Sequence, residues 1–183
     1  MIPYSPPTDD QLLAIRVNAG IAKLAANERF AAAEPDLVEA IVEGIGQFAA
    51  GEFAPLNRIG DTEGARLENG KVRLPDGFAE AYAHYIEQGW NAIAGPSEFG
   101  GQGLPFTLAC NVLENLGAAN MAFTLLPILS VGAIEALAHH GSDAQRAMYL
   151  PKLVSGAWSG TMNLTEPQAG SDVGALRTTA EPI

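Results

Sequence analysis

The sequence contains one cysteine, Cys110, in 183 residues, so no internal disulfide can form. That cysteine and the three histidines never fall at metal-ligand spacing, which excludes a zinc site of the familiar patterns. Basic residues are scarce: 10 Lys and Arg stand against 21 Asp and Glu, a formal net charge of -11. So acidic a surface repels phosphate backbones and anionic lipid, which argues against nucleic-acid or membrane-surface binding. No stretch reaches the roughly 18 uninterrupted apolar residues of a membrane span. The opening Met1-Ile2-Pro3-Tyr4-Ser5-Pro6-Pro7 has no basic segment followed by an apolar run. No signal peptide is therefore expected, and a cytoplasmic location is the default. A dinucleotide fingerprint is missing too, because Gly101-Gln102-Gly103 is followed by neither the needed glycine nor a βαβ pattern. The sequence also lacks a Walker loop and a nucleophile elbow. The sequon Asn163-Leu164-Thr165, without a secretion signal, is accidental.

What is present is apolar and helical. Hydrophobic residues make up 48% of the chain, enough for a real core. Thr8 is a candidate N-cap for a first helix carrying Leu12, Leu13, Ile15, Ile21 and Leu24. Glu34-Pro35-Asp36 opens a second, because proline and acids suit the first helical turn. There Leu37, Ile41, Ile45 and Phe48 form one stripe, and Gly44 and Gly46 suggest close packing. Residues 54–74, broken by Pro55, Gly60, Gly64 and Gly70, read as a long surface loop. Pro75-Asp76 starts a third helix with Phe78, Tyr82, Tyr85 and Ile86 as its apolar side, ended by Gly89. Two apolar helices follow at about 104–117 and 121–140. The second, with Leu125, Leu126, Ile128, Leu129 and Val131, is expected to be buried among helices. Cys110, in an apolar run, is read as a small buried hydrophobe. His139 and His140 suit the carbonyl end of a helix, and Ser142-Asp143 caps a short amphipathic one that Pro151 interrupts.

The character changes near Ala157. Trp158, Thr161 and Leu164 give a strand-like run, and a turn-rich stretch then leads to Thr178-Thr179-Ala180. Helix first and strand afterwards is an α-then-β order, not βαβ. The expected fold is therefore mainly α, with residues 1–155 as a helical domain and 156–183 as the start of a β-domain. So short a β-region is marginal alone, and the reading favours a chain cut there.

The segment Leu164-Thr165-Glu166-Pro167-Gln168-Ala169-Gly170-Ser171-Asp172 combines small residues, hydroxyls and free backbone N–H groups. That suits close approach to an anionic or heteroaromatic ligand, although a plain surface turn has the same composition. It resembles the T-E-P-x-A-G-S-D signature of acyl-CoA dehydrogenases, with every fixed letter in place. Tyr149-Leu150-Pro151-Lys152-Leu153-Val154-Ser155-Gly156 resembles the family's lead-in. Gly89-Trp90 with Pro96-Ser97-Glu98-Phe99-Gly100-Gly101-Gln102-Gly103 resembles its P-E-x-G-G-x-G loop. His140-Gly141-Ser142 with Gln145-Arg146 resembles its H-G-[ST]-x-x-Q element. The opening Tyr4-Ser5-Pro6-Pro7-Thr8-Asp9-Asp10 is similar to a bacterial branch with extended N-termini that includes methylthiopropionyl-CoA dehydrogenases.

The resemblance implies an N-terminal helical domain followed by a β-domain and a helical bundle, with FAD as cofactor. It implies α,β-dehydrogenation of an acyl-CoA, electron-transfer flavoprotein (ETF) as electron acceptor, and a homo-oligomer. Carried over by position, Met162 and Leu164 would face the flavin ring, Met162 standing where the family has an aromatic. Thr165 would hydrogen-bond the ring, and Ser171 would reach the FAD pyrophosphate and the CoA side. Residues around Phe123 to Leu129 would wall the acyl pocket. The catalytic glutamate would lie beyond Ile183, since Glu98 and Glu166 belong to other motifs, so the chain alone is expected to be inactive. Alternatives are an acyl-CoA oxidase, nitroalkane oxidase or flavin monooxygenase of the same fold, or a non-catalytic helical interaction module.

Overall fold

A computed structural model describes residues 4–181. Seven α-helices run in order: α1 (Thr8–Leu13), α2 (Ile21–Ala25), α3 (Pro35–Phe48), α4 (Ala54–Glu63), α5 (Phe78–Glu87), α6 (Phe106–His140) and α7 (Asp143–Val154). One hairpin, β1 (Arg66–Glu68) with β2 (Lys71–Arg73), lies between α4 and α5. The described part is thus mainly helical, as the apolar periodicity predicts.

Pro35 sits in the first turn of α3. Val38, Ile41, Val42, Ile45 and Phe48 are buried along one stripe, whereas Leu37 faces out. Both glycines of that helix mark close contacts. A Cβ on Gly44 would stand 3.0 Å from the Trp90 ring, and one on Gly46 would stand 2.7 Å from Pro6. The expected first helix is shorter than its apolar pattern suggests, because Gly20 adopts φ +62 and separates α1 from α2. Thr8 is its first helical residue, with Pro7 at the cap position.

Residues 54–74 are not the surface loop expected. Helix α3 continues through a widened turn at Ala49–Phe53 into α4. Pro55 explains the widening, since its ring displaces the carbonyl four residues back and offers it no N–H. Phe53 and Leu56 are buried and Ile59 packs beside them, a short stripe that the glycines and charges mask in the sequence. Gly60 is where Phe78 presses in: a Cβ there would come within 2.9 Å of the ring. The hairpin had a legible signal, Asn69-Gly70, whose positive φ angles of 51 and 75 belong to the tight turn that pairs Glu68 with Lys71.

Helix α6 supplies the central wall. Asn120 interrupts it with φ -158 and ψ 88, so it is two helices meeting at a kink, as the sequence expectation of a break between 117 and 121 has it. Asn120 caps the second: its Oδ1 accepts from the Phe123 N–H at 3.1 Å, while its Nδ2 donates to the Phe53 carbonyl at 3.2 Å. Asn120→Ala removes the cap and the long-range bond to the Phe53 carbonyl. It is expected to lower the unfolding free energy by about 2–3 kcal/mol, read as a lower urea midpoint at unchanged slope.

The core is an aromatic cluster between α3, α4, α5 and α6. Phe53 stacks on Phe123 at 4.2 Å between centroids and 5° between planes, with Phe48, Phe78 and Tyr85 tilted around them. Two expectations about α6 are corrected. Cys110 is exposed, because Leu108, Ala109 and Val112 take the inward face and position 110 falls away from it. Leu125, Leu126 and Ile128 are also exposed, since no described element covers that side. By length and composition α6 could cross a bilayer, with a window of mean hydropathy 1.8. Its inner face, however, buries Asn111, Asn115, Asn120 and Thr124 against protein.

A capping box starts α7: Ser142 Oγ accepts from the Gln145 N–H, and the Gln145 side chain accepts from the Ser142 N–H. The Ser-x-x-Gln spacing noted in the sequence is thus a helix start. Pro151 lies inside α7 without ending it.

Candidate functional site

Two of the four motif elements lie on loops, and the other two on α7 and the end of α6. In the glycine-rich loop after Trp90, the chain folds back on itself. Gly101 N–H donates to the Pro96 carbonyl (3.0 Å), Gln102 N–H to Ala92 (2.8 Å), Gly103 N–H to Gly95 (2.9 Å) and Leu104 N–H to Ile93 (3.0 Å). The glycines serve this close return, with Gly100 and Gly103 at positive φ. Glu98 stays exposed in the short turn Ser97–Phe99.

The second segment follows α7. Gly156 turns the chain at φ +72, where a Cβ would meet Ile86 at 2.4 Å. Lys152 lies over the Trp158 ring at 4.1 Å. The chain then runs along α6. Gly160 donates to Ser130 Oγ at 3.1 Å and lies so close that a Cβ would stand 2.6 Å from Ala133. Residues 159–165 form no strand, because no described strand pairs with them. None of the backbone N–H groups of residues 161–165 is paired among the described residues.

From Glu166 the segment is tightly organised. Glu166 and Ala169 exchange both backbone hydrogen bonds at 3.0 Å, closing a two-residue turn, and Ala169 is buried beneath it. The Glu166 carboxylate accepts from the Arg177 N–H at 3.0 Å and the Thr178 N–H at 2.8 Å. Gln168 also donates to it. The Thr178 hydroxyl and N–H, followed by the Arg177 N–H, hold the acid down to about 2. Asp172 Oδ1 accepts from the Gly174 N–H at 3.1 Å. The two acids of the signature are therefore loop fasteners.

A carboxylate held below its ordinary range favours the ordered loop at pH above that range, and the preference fades as pH falls toward 2. A ¹³C-detected titration is expected to show Glu166 ionised through pH 3, with its midpoint near 2. A midpoint in the ordinary glutamate range would contradict the latch.

The four residues proposed to contact a ligand all lie on the surface. Met162 and Leu164 are exposed on the segment before the turn, while Thr165 and Ser171 occupy the two arms leaving the Glu166–Ala169 turn. Phe123 is a core residue rather than a free pocket wall, being stacked on Phe53. Sequence reasoning missed Ser130, Ala133 and Thr178, which set the course of the segment. Only Ala133 and Ser130 lying opposite Gly160 in space reveals the first two, and no local signal marks any of them.

Comparison with known proteins gives this geometry a context. Residues 35–157 match the family described as acyl-CoA dehydrogenase, N-terminal domain. The chain is 47% identical over 179 residues to 3-methylmercaptopropionyl-CoA dehydrogenase of Ruegeria pomeroyi, covering 98% of this chain and 30% of that protein. It is 32% identical over 133 residues to a butyryl-CoA dehydrogenase of Syntrophomonas wolfei, covering 71% of this chain and 22% of the other. It superposes on the crystal structure of an acyl-CoA dehydrogenase complexed with FAD from Bacillus anthracis with a TM-score of 0.65. There the identity is 22%, over 78% of this chain and 23% of that one, a likeness of fold. The chain thus spans less than a third of the length of the curated relatives it matches. A domain match over most of the sequence, and a relative aligned along nearly all of it, make this chain a member of the acyl-CoA dehydrogenase family.

Proposed function

We propose that this chain is the N-terminal part of an FAD-dependent flavoprotein that α,β-dehydrogenates acyl-CoA thioesters and passes the electrons to ETF. The observation that carries the reading is the exposed signature segment, with five unpaired backbone N–H groups at residues 161–165 beside a turn locked by Glu166. Unpaired donors next to hydroxyl side chains suit the carbonyl, ring-nitrogen and phosphate acceptors of a flavin nucleotide, so the donor set fits.

In this reading Thr165 donates from its hydroxyl and N–H to the flavin ring, and Met162 and Leu164 supply apolar contact. Ser171 binds the pyrophosphate and the CoA side of the cleft. Bound FAD would supply the two-electron acceptor of the reaction. The chain's part is binding and alignment: it fixes the loop before any ligand arrives, so little order has to be gained on binding. Residues 156–183 open a second domain in this reading, and the functional protein is a cytoplasmic homo-oligomer. No nucleic acid and no membrane surface takes part.

No glutamate here is proposed as the proton-abstracting base. Glu166 is committed to four hydrogen-bond donors, and Glu98 belongs to the glycine-rich loop. The purified 183-residue chain is therefore expected to hold FAD weakly or not at all and to show no acyl-CoA turnover. Absorbance at the flavin bands after gel filtration, with a dye-coupled assay, checks both; a stoichiometric flavin spectrum with turnover would overturn the reading. Electron acceptance by ETF, against peroxide formation in an intact longer form, separates a dehydrogenase from an oxidase of the same fold.

A further inference from the structure

Between its anchors at Trp158 and Glu166, the signature segment is tied to the rest of the protein at one point. Trp158 N–H donates to the Lys152 carbonyl at 3.0 Å, and Glu166 begins the closed turn with Ala169. Among the described residues, the bond from Gly160 N–H to Ser130 Oγ, at 3.1 Å, is the one hydrogen bond that leaves residues 159–165. The Asn163 side chain donates to Thr161 Oγ1, within the segment. The five unpaired N–H groups of residues 161–165 therefore take their place on α6 from the Gly160 contact.

That contact is built from both sides. Ser130 Oγ donates its own proton to the Leu126 carbonyl, one turn back in α6, at 3.0 Å. A serine hydroxyl has a single proton, so this bond fixes the rotor and leaves the lone pairs to accept. Gly160 supplies the matching notch. A Cβ there would stand 2.6 Å from Ala133 Cβ, 3.0 Å from the Leu129 carbonyl oxygen and 3.2 Å from Ser130 Cα. Two of those neighbours are helix backbone, which cannot rotate away. The hydroxyl at 130, the bare backbone at 160 and the small Ala133 together set one position of the segment along α6 and one distance from it.

We propose that Ser130 is a positioning residue: its hydroxyl, held against Gly160, sets where Thr165 and the free N–H groups of residues 161–165 are presented to the flavin. The proposal rests on the reading of that segment as flavin-facing. Ser130 touches no flavin in it and acts through Gly160. Binding groups must be held within about 0.5 Å by residues whose own rotamers are locked, and a hydroxyl committed to the Leu126 carbonyl meets that requirement.

Valine and threonine are β-branched, share a shape and suit a helix about equally, so at position 130 they differ in the hydroxyl alone. In the 183-residue chain, Ser130→Val is expected to speed exchange of the Gly160 amide, followed by NMR. The rise should be about fivefold, the factor that one net hydrogen bond represents. Ser130→Thr should restore slow exchange, and the urea midpoints of the two variants should coincide. In the intact longer flavoprotein, Ser130→Val is expected to raise the FAD dissociation constant about tenfold, the worth of one to two misaligned hydrogen bonds. Ser130→Thr should bind FAD like the unaltered protein, and Gly160→Ala, which pushes the segment off α6, should bind it at least as weakly as Ser130→Val. Gly160 exchange unmoved by Ser130→Val, or equal FAD affinity in the valine and threonine variants, would refute the positioning role. An unaltered longer form that carries no flavin would sink the flavin reading and this role with it, a failure that the exchange data keep distinct from the first.

Discussion

Replacing Phe53 by alanine is expected to lower the unfolding free energy by about 3–5 kcal/mol, the range for deleting a fully buried aromatic ring. Phe53 is inaccessible to solvent and meets three other rings, those of Phe48, Tyr85 and Phe123. The parallel stack on Phe123 joins the α3–α4 rod to α6, and Tyr85 brings α5 into the same contact. Removing the ring opens a cavity that the neighbours cannot fill, because they are held by separate helices and by the Asn120 bond to the Phe53 carbonyl. Against a total of about 5–15 kcal/mol for a domain, such a loss consumes much of the margin. Urea unfolding followed by circular dichroism should show a much lower midpoint. Phe53→Leu, which keeps most of the volume, should recover more than half of it. A loss below about 1 kcal/mol for the alanine variant would mean the cluster is not the centre of the core.

Gly101→Ala is expected to be nearly as damaging, by a different route. A Cβ at Gly101 would stand 2.1 Å from the Gly95 carbonyl oxygen, and both groups are backbone, so no side-chain rotation relieves the clash. The loop must then open, losing the hydrogen bonds from Gly101, Gln102 and Gly103. At about 1 kcal/mol net for each bond, the expected cost is about 3 kcal/mol. Gly100→Ala is the control: it has φ +91 but nothing within 4 Å, so only backbone strain of about 1–2 kcal/mol is expected. If both variants lose the same amount, the glycines matter for conformational freedom alone. If Gly101→Ala loses clearly more, the close return of the chain is what the motif encodes. Amide exchange at Gln102 and Gly103 should rise sharply in Gly101→Ala and little in Gly100→Ala.

How much of this was legible beforehand differs from element to element. The start of α3 at Pro35, the break in α6 and the Ser142 cap rest on interactions within a few residues, and the sequence states them. Helix α4 was hidden because Pro55, Gly60 and Gly64 are the usual marks of a loop. Here proline only widens a turn, and glycine admits the Phe78 ring. The hairpin at Asn69-Gly70 had a local signal that the surrounding charges obscured. For the signature segment, the motif letters identified the family. They did not reveal that Glu166 and Asp172 fasten the loop, leaving Thr165 and Ser171 outward.

By itself the sequence determined the helical class, the acidic surface, the absence of disulfides and the family to which the chain belongs. Each follows from composition, local periodicity or a contiguous motif. Only the tertiary structure decided that Cys110 is exposed, that Leu125 and Ile128 face outward, and that Asn111 Oδ1 is buried with no partner among the described residues. An apolar helix has several faces, and periodicity cannot tell which of them a neighbour will cover. Which face is buried depends on helices distant in sequence meeting at one place, as Phe53 and Phe123 do.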